Sequence, residues 1–270
     1  MAASTEAKAA PVSLQGAIGH FPYRLQMAGG WIDQPFVSEC HPEPPGSMVV
    51  VSMRPTVRYM ERSGMATGTR RVAQQLWGDV LPAGRPADEL VRELYQAENE
   101  GLDDPSGSQD MCGLIYPGIS RLDYDASVEG GWFPAHVEST ADPAVVAWLE
   151  RVIHLVPLGP RPDGYNPLGI KHLEPAWVAR LGDSGRACYD AIVAMDLAAL
   201  GESLSETARA WRALLPQVYE HPALKSDLWG LLEGYMSEYA GAMQSGCGGG
   251  YIIVVSDRPP AGSARIAVRV

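Results

Sequence analysis

The sequence predicts an α+β protein, and three observations carry that expectation. Short β-branched runs separated by turn residues concentrate early in the chain, as in Met48-Val49-Val50-Val51. Stripes at helical spacing concentrate late, most clearly Leu224, Leu228, Leu231, Leu232, Tyr235, Tyr239 and Met243. The end of the chain returns to strand pattern: Tyr251-Ile252-Ile253-Val254-Val255 is wholly apolar, and Ile266, Val268 and Val270 alternate with Ala267 and Arg269.

Composition bounds the function. With 270 residues, 46% of them hydrophobic, the chain can bury a large core as one body or two lobes. Asp and Glu number 32 against 21 Lys and Arg, a formal charge of −11, which repels nucleic acid and anionic membranes and points to a small-molecule partner. Cys40, Cys112, Cys188 and Cys247 lie far apart, and the six histidines complete no metal-binding spacing, so free thiols in a reducing cytoplasm are expected. No apolar run approaches the length of a membrane span, and residues 1–10, small and polar, are expected to be a disordered tail.

From Val12 to Leu25 the pattern is mixed, and it leads into Ala28-Gly29-Gly30-Trp31-Ile32-Asp33-Gln34-Pro35. Two glycines followed by a carboxylate and a proline read as a loop whose backbone comes close to something; the alternative is a plain tight turn. Met48–Val51 and Thr56–Met60 are expected strands, separated by Arg54-Pro55. The stretch Ser63-Gly64-Met65-Ala66-Thr67-Gly68-Thr69-Arg70-Arg71 then sets two glycines and three hydroxyl side chains ahead of a helix that stops at Gly78. Glycines let successive N–H groups converge, and a helix start adds partial positive charge, so this is a candidate phosphate site. The alternative is an ordinary capped helix, since Ser and Thr cap helices everywhere.

An amphipathic helix is expected over Asp88–Asn99, with Leu90, Val91, Leu94 and Ala97 inward and Glu98 continuing the buried stripe. A carboxylate there needs a cation or strong donors, unless the helix frays into water. The turn Pro105–Asp110 presents a second carboxylate about a dozen residues later, and such pairs can converge on a metal–phosphate centre. Further short strands are expected at Leu122–Tyr124 and Gly131–Pro134, a helix at Pro143–Arg151 and a strand at Val152–Leu158. The junction Gly159-Pro160-Arg161-Pro162 divides the chain into lobes 11–158 and 159–270. Helices are expected at Pro175–Leu181, Gly185–Leu200, Ser205–Tyr219 and Ala223–Gln244, before the glycine run Gly246–Gly250, which suggests a close backbone approach to another segment or a ligand.

In that order the motifs resemble the GHMP kinase superfamily, named for galactokinase, homoserine kinase, mevalonate kinase and phosphomevalonate kinase. Phe21-Pro22-Tyr23-Arg24 with Ala28–Pro35 is similar to the N-terminal motif of fucose and heptose-phosphate kinases, which phosphorylate an anomeric hydroxyl. Ser63–Thr69 looks like the phosphate loop, Gly107-Ser108-Gln109-Asp110 resembles the segment with the catalytic carboxylate, and Gly246–Gly250 resembles the C-terminal glycine motif. The resemblance runs from about residue 17 to residue 256.

It implies an N-terminal lobe like ribosomal protein S5, a ferredoxin-like C-terminal lobe, and ATP and Mg2+ between them. Asp110 would accept or orient the proton of the attacking hydroxyl, and Arg24 would stabilise that carboxylate and the transferring phosphoryl group. Asp33 would bind substrate hydroxyls. The loop Ser63, Gly64, Met65, Ala66, Thr67, Gly68 and Thr69 would cradle phosphates, Thr69 and Glu98 would hold magnesium, and Gly248 and Gly249 would let the second lobe approach. Trp31, His20 and Arg161 add ring-stacking and hydrogen-bonding groups suited to a polyol. The loop departs from the family's Gly-Leu-Gly-Ser-Ser, and only thirty residues separate Asp33 from Gly64, so the part that wraps the nucleotide base is short. The expected activity is phosphorylation of a sugar, sugar phosphate or cyclitol. The alternative is a catalytically decayed sugar- or nucleotide-binding relative, and a homodimer is left open.

Overall fold

Residues 18–270 are described by the computed structural model; the expected tail, residues 1–10, lies outside them. In chain order the elements are β1 (Tyr23–Gln26), α1 (Pro35–Ser38), β2 (Gly46–Met53), α2 (Thr67–Trp77), α3 (Ala87–Asn99), α4 (Gln109–Ile115) and β3 (Ile119–Tyr124). After a 3-10 turn at Glu129–Gly131 come β4 (His136–Thr140), α5 (Pro143–Val152), β5 (Ile153–Gly159), α6 (Pro175–Ala194), α7 (Leu197–Leu214) and α8 (Gln217–Glu220). The chain closes with α9 (Leu228–Glu238), β6 (Gly241–Gln244), β7 (Gly250–Val255) and β8 (Ala264–Arg265).

Two antiparallel sheets organise a two-lobed α+β fold, one in the order β1-β2-β3-β4 and the other β6-β7-β5-β8. All eight residues of β2 are buried, which is why its sequence is a continuous apolar and small run rather than an alternation. Helix α6 crosses β2 closely enough that a Cβ on Gly185 would overlap the Ser47 carbonyl oxygen. Two helices with a break before Gly185 were expected here. Instead α6 runs through, because the glycine serves close helix–sheet contact, and the real break comes at Met195, in the left-handed region with φ 55°. Asp196 then caps α7, accepting from the N–H groups of Ala198 and Ala199.

Three further expectations are corrected. Thr56–Met60 forms no strand: Arg54 donates its N–H to Ala267, and Tyr59 is buried between the rings of Tyr23 and Tyr251, at 4.9 and 5.8 Å. Gly131–Pro134 is not a strand either, since Glu129, Gly130 and Gly131 all take positive φ. The long helix expected over Ala223–Gln244 is shorter: Asp227 caps α9, Leu231 is exposed, and Gly241 presses its bare α-carbon on the Gly201 backbone to begin β6. Strand β5, before the expected lobe boundary, pairs with β7 and β8 in the second sheet. The C-terminal segment returns to the first sheet, where Val268 bridges Met53 and Arg269 exchanges backbone bonds with Ser52 and Gly118.

Gly185→Ala should therefore cost about 1–3 kcal/mol, the usual cost of overfilling a close-packed contact. Urea unfolding of the two proteins measures it, and an unchanged midpoint would show that α6 can move off β2.

Candidate active site

Arg24 projects from β1 and is buried, with its stem in a notch that exists because Gly113 of α4 has no side chain. Its guanidinium pairs with Asp110 Oδ1, and its Nη1 donates to the Gly64 carbonyl at 3.1 Å. Burial lowers the Arg24 pKa to about 10, opposed by the charges of Asp33 and Glu98.

Asp110 sits in the first turn of α4. Its Oδ2 lies 3.2 Å from the Thr69 hydroxyl, which is also 2.9 Å from Glu98 Oε1 at the end of α3. One hydroxyl has one proton, so Thr69 donates to one carboxylate at a time while its lone pairs stay available. Burial raises the Glu98 pKa, and the Thr69 hydrogen bond and the Arg24 charge oppose it. Glu98 Oε2 is buried without a partner.

The loop leading into α2 places its N-terminus beside this cluster. Ala66, at the cap position, takes a left-handed backbone (φ 53°), and no side chain caps the helix, so the first-turn N–H groups are left without a side-chain acceptor. A Cβ on Gly68 would meet nothing within 4 Å, so the helix start is open on that side. The loop is fixed from below: a Cβ on Gly64 (φ 78°) would overlap the Ser245 carbonyl, and Ser245 Oγ donates to the Ser63 carbonyl at 2.7 Å.

Together these groups line one cavity of about 360 Å3. Of the expected residues it gathers Arg24, Trp31, Asp33, Gly64, Ala66, Thr67, Gly68, Thr69, Glu98, Asp110 and Arg161. Ser63 and Met65 lie buried beneath the loop, the Met65 carbonyl accepting from the Arg24 N–H at 3.4 Å. His20 is not brought to this cavity; it is exposed, and its N–H donates to Asp79 at 2.6 Å. Gly248 and Gly249 border a separate cavity of about 220 Å3. Their missing side chains make room for the Tyr165 ring and the Pro160-Arg161 backbone, so the close approach is to protein rather than to phosphate. Gly29 and Gly30 do the same against Ser47 and Gln26.

Residues not singled out from the sequence complete the lining, notably Arg62, Gln109 and Cys247. Gln109 was visible only as the neighbour of Asp110. It donates through Nε2 to Asp33 Oδ1 at 3.0 Å and through its N–H to Oδ2 at 3.4 Å. Asp33 is fully buried, and burial pushes its pKa up to about 6 against the bonds from Gln109 and the charge of Arg24. Three of the buried polar atoms without partners among the described residues, Arg24 Nε, Glu98 Oε2 and Gln109 Oε1, belong to residues of this cavity. Among the described residues no group of three or more His, Cys, Asp or Glu could alone hold a metal. Glu98 and Thr69, with an orphaned carboxylate oxygen and free lone pairs, do fit a hard cation completed by phosphate oxygens.

The L. major mevalonate kinase, solved with R-mevalonate, superposes with a TM-score of 0.58 at 11% identity, over 93% of this chain and 96% of that one. A D-glycero-D-manno-heptose 1-phosphate kinase from Bacteriodes thetaiotaomicron gives 0.52 at 13%, over 92% and 95%. The fold is the GHMP kinase fold. The Methanococcus jannaschii mevalonate kinase gives 0.51 at 9%, over 88% and 89%. No family model matches the chain, and no curated protein matches it in sequence. The GHMP kinase fold is thus reached here by a sequence far from those of its structural neighbours. No helix among the described residues is long and apolar enough to cross a membrane.

Asp33 yields a pH prediction. Its folded pKa lies above the ordinary 3.8, so its favourable contribution is complete below about pH 4 and lost as pH rises through about 6. At pH 8 the buried charge should cost on the order of 3 kcal/mol relative to pH 4. Asp33→Asn should therefore gain thermal stability relative to the parent at pH 8 and lose that gain by pH 4.5; equal differences in melting temperature at both pH values would refute the buried charge.

Proposed function

We propose that the protein is a small-molecule kinase that transfers the γ-phosphoryl group of ATP to a hydroxyl of a sugar, sugar phosphate or cyclitol. The observation that carries this reading is the convergence of an open, uncapped helix start with Thr69, Glu98, Asp110 and Arg24 on one cavity. Phosphoryl transfer needs positioning and charge neutralisation more than covalent chemistry. These residues supply both.

The first-turn N–H groups of α2, with Gly68 leaving the approach open, would hold the donor phosphates. Thr69 and Glu98 would hold magnesium, which supplies positive charge to the phosphate oxygens. Arg62 and Arg161 line the same cavity and add cationic side chains for phosphate oxygens. A neighbouring cavity of about 370 Å3, lined by Arg58, Glu61, Arg71 and Gln74, shares Thr67 with this one and offers room for the nucleoside beyond the phosphates. Its lining is polar, which suits a ribose and a base reached by hydrogen bonds.

Asp110 is held in an ion pair with Arg24, which fixes the direction of its carboxylate. Its task is to fix the acceptor hydroxyl in line with the phosphoryl group and to take the proton late in the transfer. Arg24, tied to Asp110 and Gly64, keeps the carboxylate and the phosphate loop in register.

Two outcomes follow. Asp110→Asn should lower kcat by about 10²–10⁴ while nucleotide binding survives. Thr69→Ala should weaken magnesium-dependent binding of AMP-PNP in calorimetric titration, with little effect on binding measured without the metal. Undisturbed turnover in the first variant, or unchanged metal dependence in the second, would overturn the assignment and favour a binding protein on the same fold.

A further inference from the structure

The short helix that carries Asp110 is fastened at its far end by a side chain that lies 155 residues further along the chain. Helix α4 has seven residues, too few to be stable alone, so its place is set by what holds it. At its start the Ser108 hydroxyl lies 3.0 Å from the Tyr124 hydroxyl, and at Gly113 the stem of Arg24 fills the notch. Its last carbonyls have no partner within the helix. Tyr116-Pro117-Gly118 follows, and Pro117 has no N–H with which to close that end.

Arg269 supplies the missing donors. Its Nη2 donates to the carbonyls of Leu114 at 3.2 Å and Ile115 at 2.8 Å, and its Nε donates to Ser52 Oγ of β2 at 2.9 Å. Those partners are all neutral, and burial lowers the Arg269 pKa with no neighbouring carboxylate opposing the shift. The guanidinium thus sits on the negative end of a helix rather than on an acid. Its own backbone is fixed in turn: Arg269 exchanges bonds with Ser52 and Gly118, and the Val268 N–H donates to Glu150 Oε1 of α5 at 2.7 Å.

Ile115 and Asp110 are about 7.5 Å apart along the helix axis. Asp110 Oδ2 stands 3.2 Å from the Thr69 hydroxyl, so a slide of α4 by about 0.5 Å takes that pair beyond hydrogen-bonding distance. We infer that Arg269 is a positioning residue for Asp110: by tying the C-terminal end of α4 to Ser52, it fixes the helix along its axis and keeps the carboxylate within reach of Thr69. The inference rests on the kinase reading for what Asp110 does, and on the geometry alone for how α4 is held.

The test compares the full chain with its Arg269→Met, Arg269→Lys and Ser52→Ala variants at a temperature at which each is folded. ADP release from magnesium ATP is measured with D-mannose, L-fucose and myo-inositol as acceptors, magnesium AMP-PNP is titrated calorimetrically, and hydrogen exchange is followed over residues 109–115. Arg269→Met, which keeps an unbranched stem and no donor, should lower kcat about ten- to a hundredfold, with AMP-PNP affinity within about twofold of the parent and α4 exchanging faster. Arg269→Lys keeps a cation at the helix end and loses the fork to Ser52, so it should recover part of kcat. Ser52→Ala removes the anchor of the guanidinium and should lower kcat severalfold; it decides the matter should Arg269→Met fail to fold. Parent-like kcat in the folded variant overturns the inference. So does a fall in AMP-PNP affinity in proportion to kcat, which is what loosening of the whole site gives. A parent that releases no ADP counts against the kinase reading instead, and hydrogen exchange then decides: parent-like exchange of α4 in the variant overturns the fastening, and faster exchange confined to α4 upholds it.

Discussion

The ion pair between buried Arg24 and half-buried Asp110 is the constraint on which the site depends. Taking a guanidinium out of water is costly, and the lowered Arg24 pKa is the sign of it. The charge is tolerated because Asp110 and the Gly64 carbonyl face it from two directions. Those two partners belong to different elements, α4 and the loop before α2, while Arg24 itself is in β1. A single side chain therefore fixes three elements to one another, and the notch at Gly113 sets how closely α4 can stand to β1. Removing Asp110 would leave the buried guanidinium with only the more distant charges of Asp33 and Glu98 to offset its burial.

A second joint holds the lobes together, and it is made almost entirely of backbone. Gly64 lies against Ser245 and Gly246, and Gly250 against Ser63. Side chains at these positions would force the loop before α2 away from the β6–β7 turn. The loop thus owes its shape to the second lobe as much as to its own sequence. This accounts for the tolerance of Ala66 in a left-handed conformation: strain at one residue persists when the surroundings over-determine it.

Much of this was legible in the sequence where a local cause was sufficient. The helix over Ala87–Asn99 and the inward Glu98 followed from spacing alone, and Gly78 ended α2 as its chemistry suggests. The strand over Ile153–Gly159 was visible in its apolar run. What was not legible depended on distant partners. Gly185 reads as a break until β2 is known to press on it, and Gly241 reads as helix until Gly201 is known to lie beneath it. At the site, residue types were readable but not their partners: nothing local to Gln109 says that it binds a carboxylate 76 residues away. The same holds for Gly248 and Gly249, whose neighbours are Tyr165 and Arg161 rather than a ligand.

The charge balance of the cavity gives the last step. Arg24, Arg62 and Arg161 line the cavity together with Asp33, Glu98 and Asp110, so the lining is formally neutral inside a chain whose net charge is −11. A nucleoside triphosphate brings several negative charges into that space, and the field of the chain works against it. Of the three cations, Arg24 is paired with Asp110, and Glu98 has Thr69 as its hydrogen-bonding partner and, among the described residues, no ion pair of its own. A free polyphosphate is then repelled by Glu98, whereas one carrying a divalent cation is drawn to it. On the kinase reading, the carboxylate that is costly to bury in the cavity would make the site prefer a metal-bound anion over a bare one.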